Sequence, residues 1–269
     1  NFMSQSKYFW GFQNDINTSE NFNNYGFSHG TINRYRGDER SVNGDMIWMS
    51  GTPFSQAYLP GQDDQNSAYR TNNLSDGAWW IDTNDEVVPA FMNIEDTGYS
   101  QVWKCTLRDN LQWGTDADGN DYGQMTAEDW VYMITEVFQA EDNWAGFANQ
   151  SDWQRQGEFI PVEETGELTF EIQLPEVDPA FPLKPIMWGE FCMPRGLLEQ
   201  YVPDKDLEGL QQDEEVQTLA YSGNLGPYSF ERWDREAEFV ATRNDDYYMQ
   251  DVEDIPEEYN PSAWQGAPY

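Results

Sequence analysis

Apolar and polar residues alternate with a period of two in two segments of the chain, which predicts two half-buried β-strands. The first segment is residues 101–108, with the sequence QVWKCTLR. The second is residues 168–174, with the sequence LTFEIQL, and Pro175 brings it to an end. Each of these strands is therefore expected to bury one of its two faces.

Weaker apolar runs predict additional strands. Residues 228–233 and 237–243 follow a glycine-punctuated turn and predict a β-hairpin. The short apolar runs at 79–81 and 111–113 predict two short strands. Residues 1–60 are rich in Asn, Gly, Ser and aromatic residues and predict only short strands and loops.

A helical period begins after Thr126. This residue is a suitable N-cap, and Asp129 stands three positions further on, as in a capping box, where its negative charge also favours a helix N-terminus. The apolar residues that recur at helical spacing are Trp130, Met133, Ile134, Val137 and Phe138. One stripe of this helix is therefore expected to face a core, and the helix is expected to end near Ala140. Residues 196–220 predict one or two further short helices.

Acidic residues are spread along the whole chain. Its 269 residues include 49 Asp and Glu against 14 Lys and Arg, a formal net charge of −35. Such a charge would destabilise a compact chain in dilute salt, but at molar salt the Debye length falls to about 3 Å and the repulsion is screened. The composition is typical of a protein from a salt-in halophile, in particular a haloarchaeon. The alternatives are an ordinary acidic protein and a calcium-rich one.

Composition also excludes several classes. Aromatic residues make up 16% of the chain, whereas acidic disordered chains are poor in them. No apolar run approaches the roughly 18 residues that a membrane span needs. A strongly negative surface repels phosphates, so nucleic acid is not expected as a partner.

The cysteines and the histidine do not predict a metal site or a catalytic group. Cys105 and Cys192 are far apart in the sequence and lack the spacing of zinc ligands, so we predict two buried free thiols. One disulfide between them stays an alternative for an exported protein. His29 has no second His or Cys nearby and is predicted to be a loop residue.

One acidic turn resembles a calcium loop in composition. It contains Asp116, Asp118, Asn120 and Asp121, but Gly119 lies at the wrong offset for an EF-hand, and Ala127 stands where the twelfth ligand should be. We therefore predict no metal and no cofactor.

Other motifs carry little information. Paired carboxylates such as Glu163 and Glu164 suit a glycosidase, but a chain this acidic contains such pairs by composition alone. Glycosylation sequons at Asn17, Asn73 and Asn149 would suit an exported protein. A chain rich in Asn, Ser and Thr also contains them by chance, so glycosylation stays open.

Five short segments of the chain resemble sequence elements of a known protein family and follow one another in the same order. The chain resembles the extracytoplasmic solute-binding proteins of peptide/nickel-type ABC importers, in which the corresponding elements read dgevvPaLA, tLRdgvkW, lTAeDvvy, GTGPY and RNpdYw. The matching segments here are residues 85–90 (DEVVPA), 106–113 (TLRDNLQW), 125–132 (MTAEDWVY), 223–228 (GNLGPY) and 243–248 (RNDDYY). The resemblance extends over residues 78 to 250.

The resemblance implies an α/β fold: a periplasmic-binding-protein-like lobe with a mixed β-sheet and peripheral helices. Members of that family are considerably longer and hold their ligand between two lobes. Residues 1–250 are therefore expected to form the first lobe, and the acidic, Pro-containing residues 251–269 to lead toward a second lobe that is missing here. The chain would then carry half of a binding cleft.

The resemblance also implies the function. We expect the substrate-binding component of an ABC importer, a monomer with no catalytic activity, which captures a peptide or other small solute and delivers it to the permease. It would work outside the cell, anchored to the membrane through a segment not present here. The resemblance places an aromatic ligand contact just after the long helix, at Trp144 or Phe147. It also places backbone contacts to an extended peptide at Phe22, Asn23, Asn24 and Tyr25.

Two other functions stay open on the residues alone. One is a secreted halophilic hydrolase, such as a glycosidase, and the other is a cell-surface structural module.

Overall fold

The computed structural model describes residues 17–18, 32–33, 75, 77–81, 86–147, 150–183, 192–226, 228–234 and 238–249. The longer strands in these ranges are β5 (Met92–Asp96), β6 (Val102–Leu107), β9 (Val162–Gly166), β10 (Thr169–Gln173), β11 (Tyr228–Asp234) and β12 (Glu238–Arg243). The shorter ones are β1 (Asn17–Thr18), β2 (Ile32–Asn33), β3 (Trp79–Ile81), β4 (Val87–Pro89), β7 (Gln154–Arg155) and β8 (Glu158–Phe159). The α-helices are α1 (Ala127–Met133), α2 (Arg195–Leu198), α3 (Leu207–Gln212) and α4 (Glu214–Thr218).

Strands β5, β6, β10 and β9 form the central sheet, in that order. In β6 the side chains of Trp103, Cys105 and Leu107 are buried, and the residues between them are half-buried. Cys105 faces Ile94 of β5 on one side and Phe170 of β10 on the other. The two strands with a period of two are thus confirmed. They pair with each other because each presents a matching apolar face to the core.

All strand pairs in the described ranges are antiparallel, including the crossover pair β6 and β10. The sequence predicts a mixed sheet, and this part of the chain contains no parallel pair. The predicted hairpin is present as β11 and β12, with a register shift between Phe230 and Arg232.

Helix α1 contacts β9 and β10 of the central sheet. The five apolar residues of its predicted stripe have no exposed surface. The amide of Ala127, at the start of the helix, also donates to the carbonyl of Glu167 in the β9–β10 turn, at 2.8 Å. The predicted core-facing stripe is therefore confirmed, and it fixes the helix to one face of the sheet.

Two predictions differ from the structure in detail. Residues 111–113 form only an isolated bridge, Gln112 to Gln124, because the backbone then turns away and Gly114 donates to the carbonyl of Tyr221. Residues 196–220 contain short helices at α2, α3 and α4, where one or two were predicted. Asp213 breaks the last two apart, because its carboxylate accepts from the backbone amides of Glu215 and Val216 and so starts a new helix.

Cys105 and Cys192 are both buried free thiols, as predicted. No helix in the described ranges combines the length and the apolar character that crossing a membrane requires. The described residues do not include His29, Asn73, Asn149 or residues 251–269. Of Asn17, the structure describes only the backbone.

Candidate functional site

The candidate site is the segment that follows helix α1, residues 140–147, here called the aromatic loop. It contains Trp144 and Phe147, the two aromatic residues predicted to contact ligand. The position of this loop depends on how α1 begins and ends.

A buried carboxylate fixes the start of α1. Oδ2 of Asp129 accepts from the backbone amide of Thr126 at 2.8 Å, which confirms the Asp129 half of the predicted capping box. The same oxygen accepts from Nε1 of Trp113 at 3.2 Å, and Oδ1 accepts from the backbone amide of Arg195 at 2.8 Å. Burial raises the pKa of Asp129, while these hydrogen bonds oppose that shift. One side chain thus ties α1 to two distant segments.

The end of α1 widens into a π-helical turn at Ile134–Phe138. Its amide-to-carbonyl bond runs from Gln139 back to Ile134, five residues earlier, at 2.8 Å. Helix ends leave carbonyl groups without partners inside the helix, and side chains often satisfy them. Here Nε1 of Trp144 donates to the carbonyl of Glu136 at 3.0 Å. The indole N–H is therefore used by the helix, so Trp144 can offer a ligand only the surface of its ring.

Hydrogen bonds within the aromatic loop fix its conformation. Asn143 adopts a left-handed conformation with φ of 47°, which Asn tolerates better than most residues. Its side chain accepts from the amide of Phe147 at 2.8 Å and donates to the carbonyl of the same residue at 3.1 Å. Gly146 also has a positive φ, 67°. The loop is therefore a closed turn with a set shape.

The two predicted aromatic residues differ in how deeply they are buried. Phe147 is 2% exposed and stacks on Phe138 of the π-helical turn, with ring centroids 4.2 Å apart and planes 16° apart. Phe138 in turn lies 6.2 Å from the ring of Trp153. Trp144 packs against the core but is only half-buried. Phe147 thus holds the loop on the core, while Trp144 keeps part of its ring accessible.

The charges around the loop are mostly negative. Glu136, Glu141 and Asp142 are exposed, and one cation, Lys205, forms an ion pair with Asp142. The hydrogen bond from Lys205 lowers the pKa of Asp142, so this carboxylate stays ionised across the ordinary pH range. These acidic residues, here called the acidic rim, would therefore repel an anionic ligand and favour a neutral or cationic one.

The other chemical candidates do not form a reactive centre. Asp116 of the acidic turn accepts hydrogen bonds from Asn120 and from the hydroxyl of Tyr122, so its carboxylate closes the turn itself. In the described part of the chain, no group of three or more His, Cys, Asp or Glu side chains is placed to hold a metal ion. Burial raises the pKa of both thiols, so neither is an activated nucleophile.

Phe22, Asn23, Asn24 and Tyr25, the predicted backbone contacts, lie outside the described residues. Two residues that shape the site were not predicted from the sequence. They are Glu136, whose carbonyl accepts the hydrogen bond from the indole, and Asn143, whose side chain closes the loop. Asn followed at a short distance by Gly is a turn signal for the loop, but no pattern indicates the bond between Trp144 and the helix.

Comparison with known proteins gives one family. The model described as "Bacterial extracellular solute-binding proteins, family 5 Middle" matches residues 94–258, more than half of the chain. No curated protein matches the chain.

Solved structures share the fold at low sequence identity. HbpA2 from Haemophilus parasuis is 16% identical with a TM-score of 0.55, and the match covers 73% of this chain and 39% of that one. The oligopeptide-binding protein AppA from Bacillus subtilis, in complex with a nonapeptide, is 19% identical with a TM-score of 0.52, covering 73% and 35%. The ABC transporter substrate-binding protein CtaP from Listeria monocytogenes is 20% identical with a TM-score of 0.50, covering 70% and 34%.

This chain thus spans less than two fifths of the length of each of these structures. The likeness confirms the predicted fold class, an α/β lobe like those of periplasmic binding proteins.

Proposed function

The chain belongs to family 5 of the bacterial extracellular solute-binding proteins, and from this premise we propose that it binds a peptide or a similar small solute and delivers it to an ABC permease. Proteins of this family are extracytoplasmic, and they are binding proteins rather than enzymes. The proposal extends that role to this chain: it holds its ligand without covalent chemistry, as a monomer outside the membrane. Anchoring through a segment outside residues 1–269 is part of the same proposal.

In the proposed arrangement, residues 1–250 supply one wall of a cleft that closes around the ligand. The lengths of the matched structures support this arrangement, because this chain covers less than two fifths of each. One lobe alone then makes only part of the contacts and has nothing to close against. It should bind solute far more weakly than a protein that carries both lobes.

The observation that carries the proposal is the fixed, half-buried ring of Trp144. Its N–H is bonded to the helix and its loop is closed by Asn143, so little conformational entropy is lost when a ligand packs on the ring. Aromatic surfaces of this kind line many small-molecule sites and contribute strongly to affinity. We assign Trp144 as a ligand wall and Phe147 as its support from the core. The predicted backbone contacts at residues 22–25 remain part of the proposal.

The acidic rim around Trp144 bears on the class of solute. Glu136, Glu141 and Asp142 favour a neutral or positively charged ligand over an anionic one. Among peptides, those with Lys or Arg side chains should bind more tightly than those with Asp or Glu. This preference should weaken as salt is added, because exposed charges are screened.

The proposal also includes the medium in which the protein works, which is concentrated salt. A net charge of −35 with only 14 basic residues supports a protein that works in concentrated salt, as in a haloarchaeon. In such a medium hydrophobic contacts strengthen, so an aromatic wall is a suitable means of holding solute where charge pairs are screened.

The test is calorimetric titration in molar salt with a mixed peptide pool, on the protein purified from the cells that make it. Trp144→Ala should weaken binding by about 1–3 kcal/mol. Tyr99→Ala is the matched control, since it truncates an aromatic side chain that is 93% exposed in the β5–β6 turn, and it should leave affinity unchanged. Unchanged affinity in Trp144→Ala would remove Trp144 from the site. Failure of the unmodified protein to bind any peptide would overturn the proposed peptide ligand.

A further inference from the structure

A second cluster of acidic side chains lies away from the aromatic loop, between helix α4 and the turn at residues 115–121. Its central member is Glu215, on the first turn of α4 and only 6% exposed. Oε1 of Glu215 accepts from the backbone amide of Ala117 at 2.9 Å. Oε2 is equally buried and has no hydrogen-bond partner among the described residues. This side chain therefore joins the helix to the turn through one oxygen and leaves the other unsatisfied.

The neighbouring carboxylates are satisfied. Asp116, also 6% exposed, accepts from the amide and the side chain of Asn120 and from the hydroxyl of Tyr122. Asp213 accepts from the amide of Glu215 at 2.7 Å and from the hydroxyl of Tyr201. Although burial opposes it, the bonds from Asn120 and Tyr122 lower the pKa of Asp116. These hydrogen bonds thus favour the ionised form of Asp116.

Glu215 is in the opposite position. Burial raises its pKa, and the charges of Asp116, Asp213 and Asp118 raise it further, while the hydrogen bond from Ala117 opposes that shift. No Lys or Arg of the described residues forms an ion pair with it. An ionised Glu215 would leave a buried charged oxygen without a donor among like charges, which is strongly unfavourable. A protonated carboxyl group removes the charge and gains an O–H that can donate a hydrogen bond.

We propose that Glu215 keeps its proton at pH values where exposed glutamates are ionised, and that the protonated group locks α4 to the turn at residues 115–121. When rising pH removes the proton, the lock opens. The bond from Ala117 then competes with repulsion between Glu215 and the aspartates of the turn. Because Gly114, next to the turn, donates to the carbonyl of Tyr221 at 2.7 Å, the loosening should spread toward residues 220–222. The device is therefore a pH-dependent connection between two segments of the lobe.

Two tyrosines also contact the cluster, Tyr122 through a hydrogen bond to Asp116 and Tyr201 through one to Asp213. Burial and these hydrogen bonds raise the pKa of both tyrosines, so both hydroxyls stay protonated in mildly alkaline solution. A change in stability between about pH 5 and about pH 8 therefore cannot be assigned to either tyrosine.

The test compares thermal midpoints of the protein, Glu215→Gln and Glu214→Gln from about pH 5 to about pH 8, at constant molar ionic strength. Glutamine has the shape and donor capacity of a protonated glutamate, so Glu215→Gln mimics the locked state. Glu214 is exposed on the same helix turn, so Glu214→Gln is matched for the change in charge. Glu215→Gln should match the protein at the acid end. At the alkaline end it should melt higher than the protein, by a margin that grows with pH, because the variant has no buried charge to form. Glu214→Gln should show no such growing difference.

Hydrogen exchange supplies an independent readout. Protection of the amides at residues 115–121, corrected for the intrinsic pH dependence of exchange, should fall as pH rises in the protein and stay constant in Glu215→Gln. A constant difference in melting temperature across the pH range, or a Glu215→Gln variant that melts lower at the alkaline end, overturns the proposal. So does a Glu215→Gln variant that gains its advantage at the alkaline end only when tetramethylammonium replaces Na⁺, K⁺ and Ca²⁺ at equal ionic strength, since a cation bound to the ionised cluster would then be what neutralises it.

Discussion

Replacing Asp129 by alanine removes the acceptor that joins α1 to two distant segments. The carboxylate is 7% exposed and receives bonds from the amide of Thr126, from Nε1 of Trp113 and from the amide of Arg195. Alanine leaves these three donors without their acceptor, and an unsatisfied buried donor costs about 1–3 kcal/mol. Part of that loss is offset because the variant no longer buries a carboxylate. We therefore expect Asp129→Ala to lower the free energy of unfolding by about 2–5 kcal/mol.

Asparagine at the same position separates the contributions of the two oxygens. With its carbonyl oxygen in the place of Oδ2, the side chain keeps Thr126 and Trp113, but its amide group then faces the N–H of Arg195. Asp129→Asn should therefore lose about 1–3 kcal/mol, mainly at the start of α2. Because burial raises the pKa of Asp129, the wild-type stability that this group contributes is greatest at low pH and is lost as pH rises through that pKa. The difference in the free energy of unfolding between wild type and Asp129→Asn should therefore become smaller as the pH rises.

The assay is urea unfolding in molar KCl, followed by tryptophan fluorescence. Glu128→Gln is the matched control, because Glu128 is the neighbouring acidic residue, 55% exposed, and pairs with the side chain of Arg195 at the surface. Exposed pairs of this kind contribute at most about 1 kcal/mol. If Asp129→Ala were no less stable than Glu128→Gln, Asp129 would not be the side chain that joins α1 to the two distant segments.

Three further predictions concern the stability of the chain and the accessibility of its thiols. The thermal midpoint should rise steeply from dilute to molar KCl because of the net charge of −35, and a midpoint independent of salt would contradict the halophilic assignment. Trp130→Ala should cost about 3–5 kcal/mol because its side chain has no exposed surface. Thr126→Ala should cost about 1 kcal/mol because it removes the hydroxyl that donates to Asp129, and equal denaturation midpoints for the two variants would refute this. Cys105 and Cys192 are buried with raised pKa values, so a thiol reagent should label them only after unfolding, and labelling of the folded protein would contradict their placement.

Local patterns were sufficient to predict the main elements. The alternation in residues 101–108 and 168–174 reports burial on one face of a strand, and the stripe from Trp130 to Phe138 reports burial on one face of a helix. Both signals arise from neighbours in the sequence. The same holds for Asp129, whose capping role follows from its spacing to Thr126.

The features that shape the candidate site depend on contacts that no local pattern contains. The bond from Arg195 to Asp129 joins residues that are 66 positions apart. The indole bond joins Trp144 of the loop to the carbonyl of Glu136 in the π-helical turn. The sequence therefore predicted Trp144 and Phe147 together but could not distinguish the half-buried ring from the one stacked on Phe138.

A solute-binding protein releases its ligand chemically unchanged, whereas a hydrolase releases products. The most direct measurement is mass spectrometry of the protein purified from the cells that make it, first under native conditions and then after mild denaturation to free the ligand. We predict one small solute per protein, most simply a peptide, whose mass stays the same after prolonged incubation with fresh protein in molar salt. Cleavage of that solute, or of any added peptide or sugar, into smaller products would contradict the assignment as a binding protein.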